Sequence, residues 1–593
     1  MTAILLSLPA FIGYVLSVHR WLKIPFALSP LFCSCCLMVL LFWAALGGLL
    51  PAVRVTLLAG GMLLLILQFV NYRWWQIQFQ QGPARNSALI FFGGLPLILI
   101  CSVTGQPSVV DDYSFWAIIG KSINAYNSLP GPDTSIFARH LTYTPGLALL
   151  QYFFHSLGGP QQLFVAYAAQ NLFLLTLLLV LSEEHDFANG LALIAGAFII
   201  LIFFSGSILQ KLRVDHFLYL TAFVVLWLQL RTSLTPARFT VISCCLLSLY
   251  LVKEVGLLIA TFLLVVLVVN IVRQRNANAR PKLGYLAGCV VVLLVLTGDK
   301  LIWDAHCTAL GFASFHGAIT KTKIIEAFNL VDNEASRQAL RIFLQEFFLG
   351  AADGLKLPYL VYYLLLFVVG QKTFPRESDD IRRRYRFFFA LAIPFYLLYA
   401  GMNYVMQYAV FGLGSTTSTT ASLARYLNIF FACFVLLILI TGLRTILFSR
   451  PTLRQGLIVL AGLIMVVTSW PEKRKAFDLE IEELGKRMQP MLTEDSRVCI
   501  TPGDAGDHYP GFRLLYLQFP ARFTVDPFPG SAKSGKAVRE KLADCDYLLV
   551  YRPAAASNRL LQPFADQPLH HGTFFQVAHA QQLPDSIILH KRF

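Results

Sequence analysis

The sequence predicts a polytopic α-helical membrane protein with a small C-terminal extracytoplasmic α/β domain. Three observations carry that prediction. Of the 593 residues, 56% are hydrophobic and 14% charged, whereas soluble domains carry about 25% charged residues. Apolar runs of roughly 15–24 residues, long enough to span a bilayer, recur from Ile4 to Val467. From Pro471 onward the runs shorten and acquire strand-like character. A β-barrel would instead show short alternating strands.

Fourteen spans follow, at about 4–18, 28–50, 55–71, 87–104, 162–181, 190–205, 216–230, 239–253, 255–272, 283–298, 357–371, 387–402, 426–443 and 455–470. The first, "AILLSLPAFIGYVLSV", lacks a basic leader and reads as a retained helix rather than a signal peptide. Orientation comes from basic residues, which collect in cytoplasmic loops. "QKTFPRESDDIRRRYR" (371–386), "RQRNANARPK" (273–282) and "RTILFSRPTLR" (444–454) are such loops, as are the turns holding Arg20 with Lys23 and Arg73 with Arg85. Alternation then places 105–161, 299–356, 403–425, the tail and the N-terminus outside.

One stretch tests this count. If "YTPGLALLQYFFHSL" (143–157) crossed the membrane, residues 239–272 would have to form a single very long helix. We therefore read 143–157 as a short helix lying at the outer surface. Lys211 and Arg213 then face outward and Glu183 and Glu184 inward, against the charge rule.

The chain thus divides into a membrane domain, 1–470, with external loops at about 105–161 and 299–356, and a soluble domain, 471–593. In the tail, "RVCITPGD" and "CDYLLVYRP" read as buried strands ending in turns, and "SGKAVREKLADC" as a helix between them. No GxGxxG or P-loop supports a nucleotide site there. "GSTTSTTAS" (414–422) reads as a loop, and no internal repeat is evident.

The net charge of +15 is the expected basic excess of cytoplasmic loops, and no nucleic-acid motif accompanies it. Most of the 11 cysteines lie in apolar segments, where thiols behave as small hydrophobes. Cys499 and Cys545 fall in the tail, where a disulfide is open to them if the tail is extracytoplasmic.

Chemistry-bearing residues stand out against this background. Asp111 and Asp112 open "VVDDYSFWAIIGK" in the first large external loop, followed by an amphipathic segment suited to lying on a membrane. A tandem acid pair at a helix start either caps the helix or supplies a base to an acceptor hydroxyl. Lys121 either faces a phosphate or snorkels to the interface. "RHLTYTPG" breaks the chain and starts a helix at Pro145; His140 there is a ligand, an acid or an ordinary surface histidine. Asp215 starts a helix at the outer face. Lys253 interrupts an apolar run, which marks it as functional by default unless it simply pairs with Glu254. Arg425 sits at the outer end of a span, where it forks a phosphate or meets a lipid headgroup. His306, in "WDAH", opens the second long loop and either contacts substrate or does nothing special.

Asp111, Asp112, Phe115, Trp116 and Lys121, followed by Tyr143, Pro145, Gly146, Gln151 and Tyr152, resemble paired motifs of the GT-C superfamily of membrane glycosyltransferases. That superfamily includes the protein O-mannosyltransferases, the lipid A aminoarabinose transferases and the mycobacterial arabinofuranosyltransferases. The closest likeness is to bacterial envelope members with "DE-x-x-HW-x-x-x-x-K" and "Y-P-P-G-x-x-x-x-Q-Y". Here Asp112 replaces the Glu, Thr144 replaces the first Pro, and about three extra spans precede the acidic loop. The motifs cover about 110–155 and the general layout most of the chain.

The resemblance implies a GT-C-like bundle in a bacterial inner membrane, with its active site facing the periplasm. It implies transfer of a sugar, arabinofuranosyl or another pentose among the options, from a polyprenyl-phosphate donor to a polysaccharide, a lipid or a secreted protein such as a pilin. Asp111 would be the general base, with Asp112 orienting it or sharing the role. Lys121, Lys253 and Arg425 would stabilise the phosphate leaving group. Trp116, His140, Tyr143, Asp215 and His306 would contact substrate. No cofactor or metal is required, because protein cations replace one, though the two adjacent acids leave a metal open to it, as in the lipid-pyrophosphate users of the superfamily. The rival readings are an O-antigen polymerase or ligase, a lipid-linked substrate flippase or transporter, and a non-catalytic assembly protein.

Overall fold

The computed structural model describes residues 2–70, 82–105, 107, 112–131, 142–155, 163–206, 208–273, 279–312, 320–351, 357–373, 377–411, 416–447, 449–469, 476–493, 495–501, 509–519, 521–523, 540, 542–551, 559, 561–579 and 587–592. It divides into two compact units, one comprising 1–106 with 142–470 and the other 107–141 with 471–593.

The first unit is helical. It contains α1 (Thr2–Trp21), α2 (Ser29–Leu46), α3 (Leu50–Val70) and α4 (Pro83–Val103). After α5 (Ala117–Tyr126), which belongs to the second unit, come α6 (Gly146–Phe154), α7 (Leu163–Leu179), α8 (Phe187–Ser205), α9 (Asp215–Arg231), α10 (Pro236–Val252), α11 (Gly256–Arg273) and α12 (Ala279–Ala309). The unit closes with α13 (Lys321–Phe328), α14 (Glu334–Leu349), α15 (Tyr359–Thr373), α16 (Asp379–Met406), α17 (Thr416–Leu447) and α18 (Pro451–Thr468). Among the described residues ten helices are long and apolar enough to cross a membrane, so the chain has polytopic transmembrane character. Each of the fourteen expected spans coincides with a helix of this unit.

Among the described residues the ambiguous segment 143–157 contains one helix, α6, nine residues long, too short to cross a bilayer. The apolar run 239–272 breaks between α10 and α11 at Lys253. The break has a steric signature: a Cβ at Gly256 would lie 1.9 Å from the Leu249 carbonyl oxygen, so only glycine lets α11 start against the last turn of α10. The expected loop at 414–422 is different: residues 416–422 are the first turns of α17. Helix propagation from the apolar stretch behind them outweighs their Ser/Thr composition.

The basic segments gather at one end of this unit. Arg231, which ends α9, bonds Glu377 at 3.0 Å, and Arg384 donates to the Thr232 carbonyl at 3.0 Å. Arg238 pairs with Glu183 at 2.9 Å and with Glu184, and Arg454 donates to Asn189 at 2.9 Å. The two glutamates that break the charge rule thus share Arg238 as their partner. At the opposite end, Thr104 donates to the Ser469 carbonyl at 2.7 Å and Gln210 to Thr104 at 3.2 Å.

The second unit is built on a five-stranded sheet. Its strands are β1 (Arg497–Thr501), β2 (Arg522–Phe523), β3 (Tyr547–Val550), β4 (Thr573–His579) and β5 (Ile587–Lys591), in the order β2-β1-β3-β4-β5. β1 runs parallel to β2 and β3, while β4 and β5 are antiparallel additions. Parallel neighbours need a crossover. Most of the expected crossover helix at 534–545 lies outside the described residues, but Leu542 and Cys545 join the core beside Leu548, Val550 and Phe575. Cys499 of β1 and Cys545 form a disulfide. Two helices, α19 (Ala476–Met488) and α20 (Tyr509–Gln518), complete the tail. The loop 107–141, read from sequence as part of the membrane domain, falls in this unit.

Candidate functional site

A charged cleft lies in the first unit where α9 begins. The chain approaches it through a turn at 208–210, pinned by Asn171 donating to the Leu209 carbonyl at 3.1 Å and Gln170 to the Lys211 carbonyl at 2.7 Å. That fixed backbone delivers Asp215 as the first residue of α9. Lys253, extended at the end of α10, donates to Asp215 Oδ1 at 2.6 Å. Arg425 Nε approaches Asp215 Oδ2 at 3.4 Å. The Tyr426 ring lies 4.8 Å from Lys253 Nζ and 5.4 Å from the Arg425 guanidinium.

Asp215 is therefore the hub of three residues that the sequence singled out separately. Beside it the cleft, about 40 Å3 in volume, is lined by Lys211, Arg213, His216, Arg425 and Asn428 among others. That is space for a few waters or a compact oxyanion, not for a sugar. Lys211, Arg213, Lys253 and Arg425 surround a single carboxylate, a formal excess of three positive charges. Arg213 Nε is buried with no hydrogen-bond partner among the described residues. The pair envisaged between Lys253 and Glu254 does not form: Glu254 turns to Lys300, at 3.4 Å.

A second grouping flanks the break between α10 and α11. Thr144 of the "YTPG" turn donates to the Tyr250 carbonyl at 3.0 Å, and a Cβ at Gly146 would meet the Leu251 carbonyl oxygen at 2.6 Å. Trp303 Nε1 donates to the Thr142 carbonyl at 2.9 Å, and His306 stacks on the Trp303 ring at 5.4 Å. Half-buried Tyr143 and His306 thus belong to one neighbourhood, joined by Trp303. Lys300 bonds Asp304 at 2.5 Å. One turn before Trp303, fully buried Asp299 has no hydrogen-bond partner on either oxygen among the described residues. Sequence reasoning passed over Asp299, although a lone acid inside an apolar helix was a visible signal.

The acid pair belongs to the second unit. Asp111 and His140 lie outside the described residues. Asp112 is fully buried and opens a π-helical turn that runs into α5. Tyr113 donates to the Pro107 carbonyl at 2.5 Å and packs on Tyr516 of α20, with ring centres 5.5 Å apart. Arg513, on the same helix, lies 5.0 Å over the Tyr113 ring and bonds Glu482 at 2.7 Å and Asp478. Half-buried Trp116 lies against Phe115.

Lys121 differs from expectation. Its Nζ donates to the Tyr516 carbonyl at 2.6 Å and sits over the Tyr516 and Phe519 rings. Burial lowers its pKa to about 8. It is held by α20 rather than offered to a phosphate. Burial, reinforced by the Asp112 charge, pushes the Tyr516 hydroxyl up. The segment read as lying on a membrane surface is instead tied to the tail through Tyr113, Lys121 and Tyr126, whose ring is 5.8 Å from Phe519. The described residues hold no group of three or more His, Cys, Asp or Glu placed to bind a metal.

The helices and the charged cleft define a polytopic helical membrane protein with a cation-rich site at one end of its bundle. Compared with known proteins, the chain matches no family model, no curated protein and no solved structure.

Proposed function

We propose that the chain is an integral-membrane glycosyltransferase that moves a sugar from a polyprenyl-phosphate donor to an envelope acceptor. The observation that carries this reading is the Asp215 cleft, where four basic residues meet one carboxylate at the end of a helical bundle. Such a surplus suits a lipid-linked phosphate whose tail lies among apolar helices. Lys253 and Arg425, joined by Lys211 and Arg213, stabilise the negative charge that grows on the phosphate as it leaves. Lys121 has no part in this set. Asp215 holds the two cations in place between turnovers.

The reaction is an inverting displacement. The acceptor hydroxyl attacks the anomeric carbon, the bond from that carbon to the phosphate oxygen breaks, and the electron pair leaves with the polyprenyl phosphate. The hydroxyl proton passes to a carboxylate, the role that the resemblance gives to Asp111 with Asp112, and the same resemblance gives Tyr143 and His306 to substrate. By the charge rule, the basic end of the bundle faces the cytoplasm of a bacterial inner membrane, and the cleft faces the periplasm. A pentose such as arabinofuranose is the favoured donor sugar, on the resemblance of the two motifs. A flippase is the second reading, favoured by Asp299, buried inside a candidate span with no hydrogen-bond partner among the described residues.

The test is turnover of radiolabelled polyprenyl-phosphate sugars by membranes carrying Asp111→Asn, Asp112→Asn or Lys253→Met. Loss of transfer in Asp111→Asn and Lys253→Met supports the reading. Full transfer in both aspartate variants removes the catalytic assignment. Movement of intact donor across vesicles without glycosyl transfer selects the flippase.

A further inference from the structure

A long cleft of about 780 Å3 runs among α14, α15, α16 and α17 of the first unit. That volume lies within the roughly 300–1,000 Å3 of pockets that enclose small organic ligands. Buried Tyr385, Ala392, Tyr396 and Phe431 line it, while Phe367, Ile393 and Leu397 expose most of their side chains at its rim. Arg382, Arg386 and Gln371 mark one end, and Phe347 and Phe348 the other. From Arg382 to Leu397 the helix rises about 22 Å.

We propose that this cleft binds an acyl chain of an anionic bilayer phospholipid, with Arg382 and Arg386 holding the phosphate. The charge of the lining points there. Apart from tyrosines, its ionisable side chains among the described residues are the two arginines, at the mouth of an otherwise apolar groove. Arg382 contacts the Glu377 carbonyl at 3.1 Å and the exposed Asp379 carboxylate at 3.3 Å. Arg386 is exposed, as are Lys372 and Arg383 nearby in sequence. Arg384 bonds Asp380 at 2.6 Å. Five basic residues thus flank the ends of two apolar helices, a pattern that attracts anionic headgroups. The groove's length selects the lipid. It accommodates a chain crossing one leaflet, half of a hydrocarbon core roughly 30 Å thick, not a polyprenol long enough to traverse the bilayer.

This site is separate from the Asp215 cleft and stands whether or not the transferase reading does. Arg231 and Arg444 approach Glu377 at the arginine-rich end, while Asp215 and Arg425 sit toward the other ends of the same two helices. Sixteen residues of α9 put the two ends about 24 Å apart.

The test uses the full-length protein in detergent micelles and a phosphatidylglycerol carrying a diazirine midway along one acyl chain. After irradiation, adducts are expected on peptides from α15, α16 and α17 that line the groove. Unlabelled phosphatidylglycerol should compete at least about tenfold better than phosphatidylcholine. Arg386→Gln should weaken labelling about tenfold, the loss of one charge-assisted contact, and Arg382→Gln/Arg386→Gln further. Ala392→Phe should block labelling while the elution volume stays that of the parent. Equal competition by phosphatidylcholine, or labelling that survives the double substitution, overturns the proposal in favour of bulk lipid in an apolar groove. Stronger competition by a polyprenyl phosphate overturns the choice of phospholipid.

Discussion

Asp215 shows how much one carboxylate can organise. It is bonded to Lys253, 38 residues away, and lies beside Arg425 at 3.4 Å. Removing one member of a mostly buried ion pair leaves the other uncompensated, typically at about 3–5 kcal/mol. Asp215→Ala is therefore expected to lower thermal stability in detergent by an amount of that order, read as an earlier loss of helical circular dichroism. Lys253→Met keeps the stem but removes the charge. It should cut transfer about 100-fold or more, as loss of one transition-state donor does elsewhere, with a smaller change in donor affinity. Each residue of the cleft was visible in the sequence as a charge among apolar neighbours; their meeting was not, because it is made by tertiary contacts. Lys253 and Glu254 looked like a pair because they are adjacent. Lys253 is extended, and successive side chains on an extended backbone point to opposite sides, so each finds a distant partner. Lys211 and Arg213 were legible in addition as a fault in the charge rule, and they line the same cleft.

At the scale of elements, length and hydropathy sufficed for the helices, because a bilayer imposes both. Local chemistry misled where tertiary packing decides. The α5 helix carries an amphipathic pattern that fits a membrane surface as well as a protein one. Its true partner, α20, is nearly 400 residues further along the chain. Lys121 makes that docking sensitive to pH. Burial brings its pKa to about 8 from an ordinary 10.5. Between those values the unfolded chain binds more protons than the folded one, so stability rises with pH across that window. Below about pH 8 the cost of burying the charge is present in full. Hydrogen exchange in peptides of α5 and α20 should slow from pH 8 to 10.5 after correction for intrinsic rates, and Lys121→Met should flatten that trend. The Cys499–Cys545 bridge closes a segment with a separation of 46 residues, worth about 4 kcal/mol on a chain-entropy basis. Reduction, or Cys499→Ser with Cys545→Ser, should speed exchange in β1 and β3 and leave α7 to α11 unchanged.

For the whole molecule, sidedness is the property on which the functional reading depends. A cysteine placed at Val331, which is highly exposed, should react with a membrane-impermeant maleimide in intact cells whose outer membrane has been permeabilised. One at Arg383 should react only after the inner membrane is opened. The reverse pattern would put the Asp215 cleft on the cytoplasmic side. The grouping of 107–141 with 471–593 also orders events during synthesis. The α5 helix leaves the ribosome before most of the membrane helices exist, and α20 follows roughly 380 residues later. At about 5–20 residues per second that is a wait of roughly 20–75 seconds. Throughout it Tyr113, Lys121 and Tyr126 lack the ring and carbonyl partners they have in the finished protein. A chain interrupted at any point before α20 carries α5 without the helix that Tyr113, Lys121 and Tyr126 pack against.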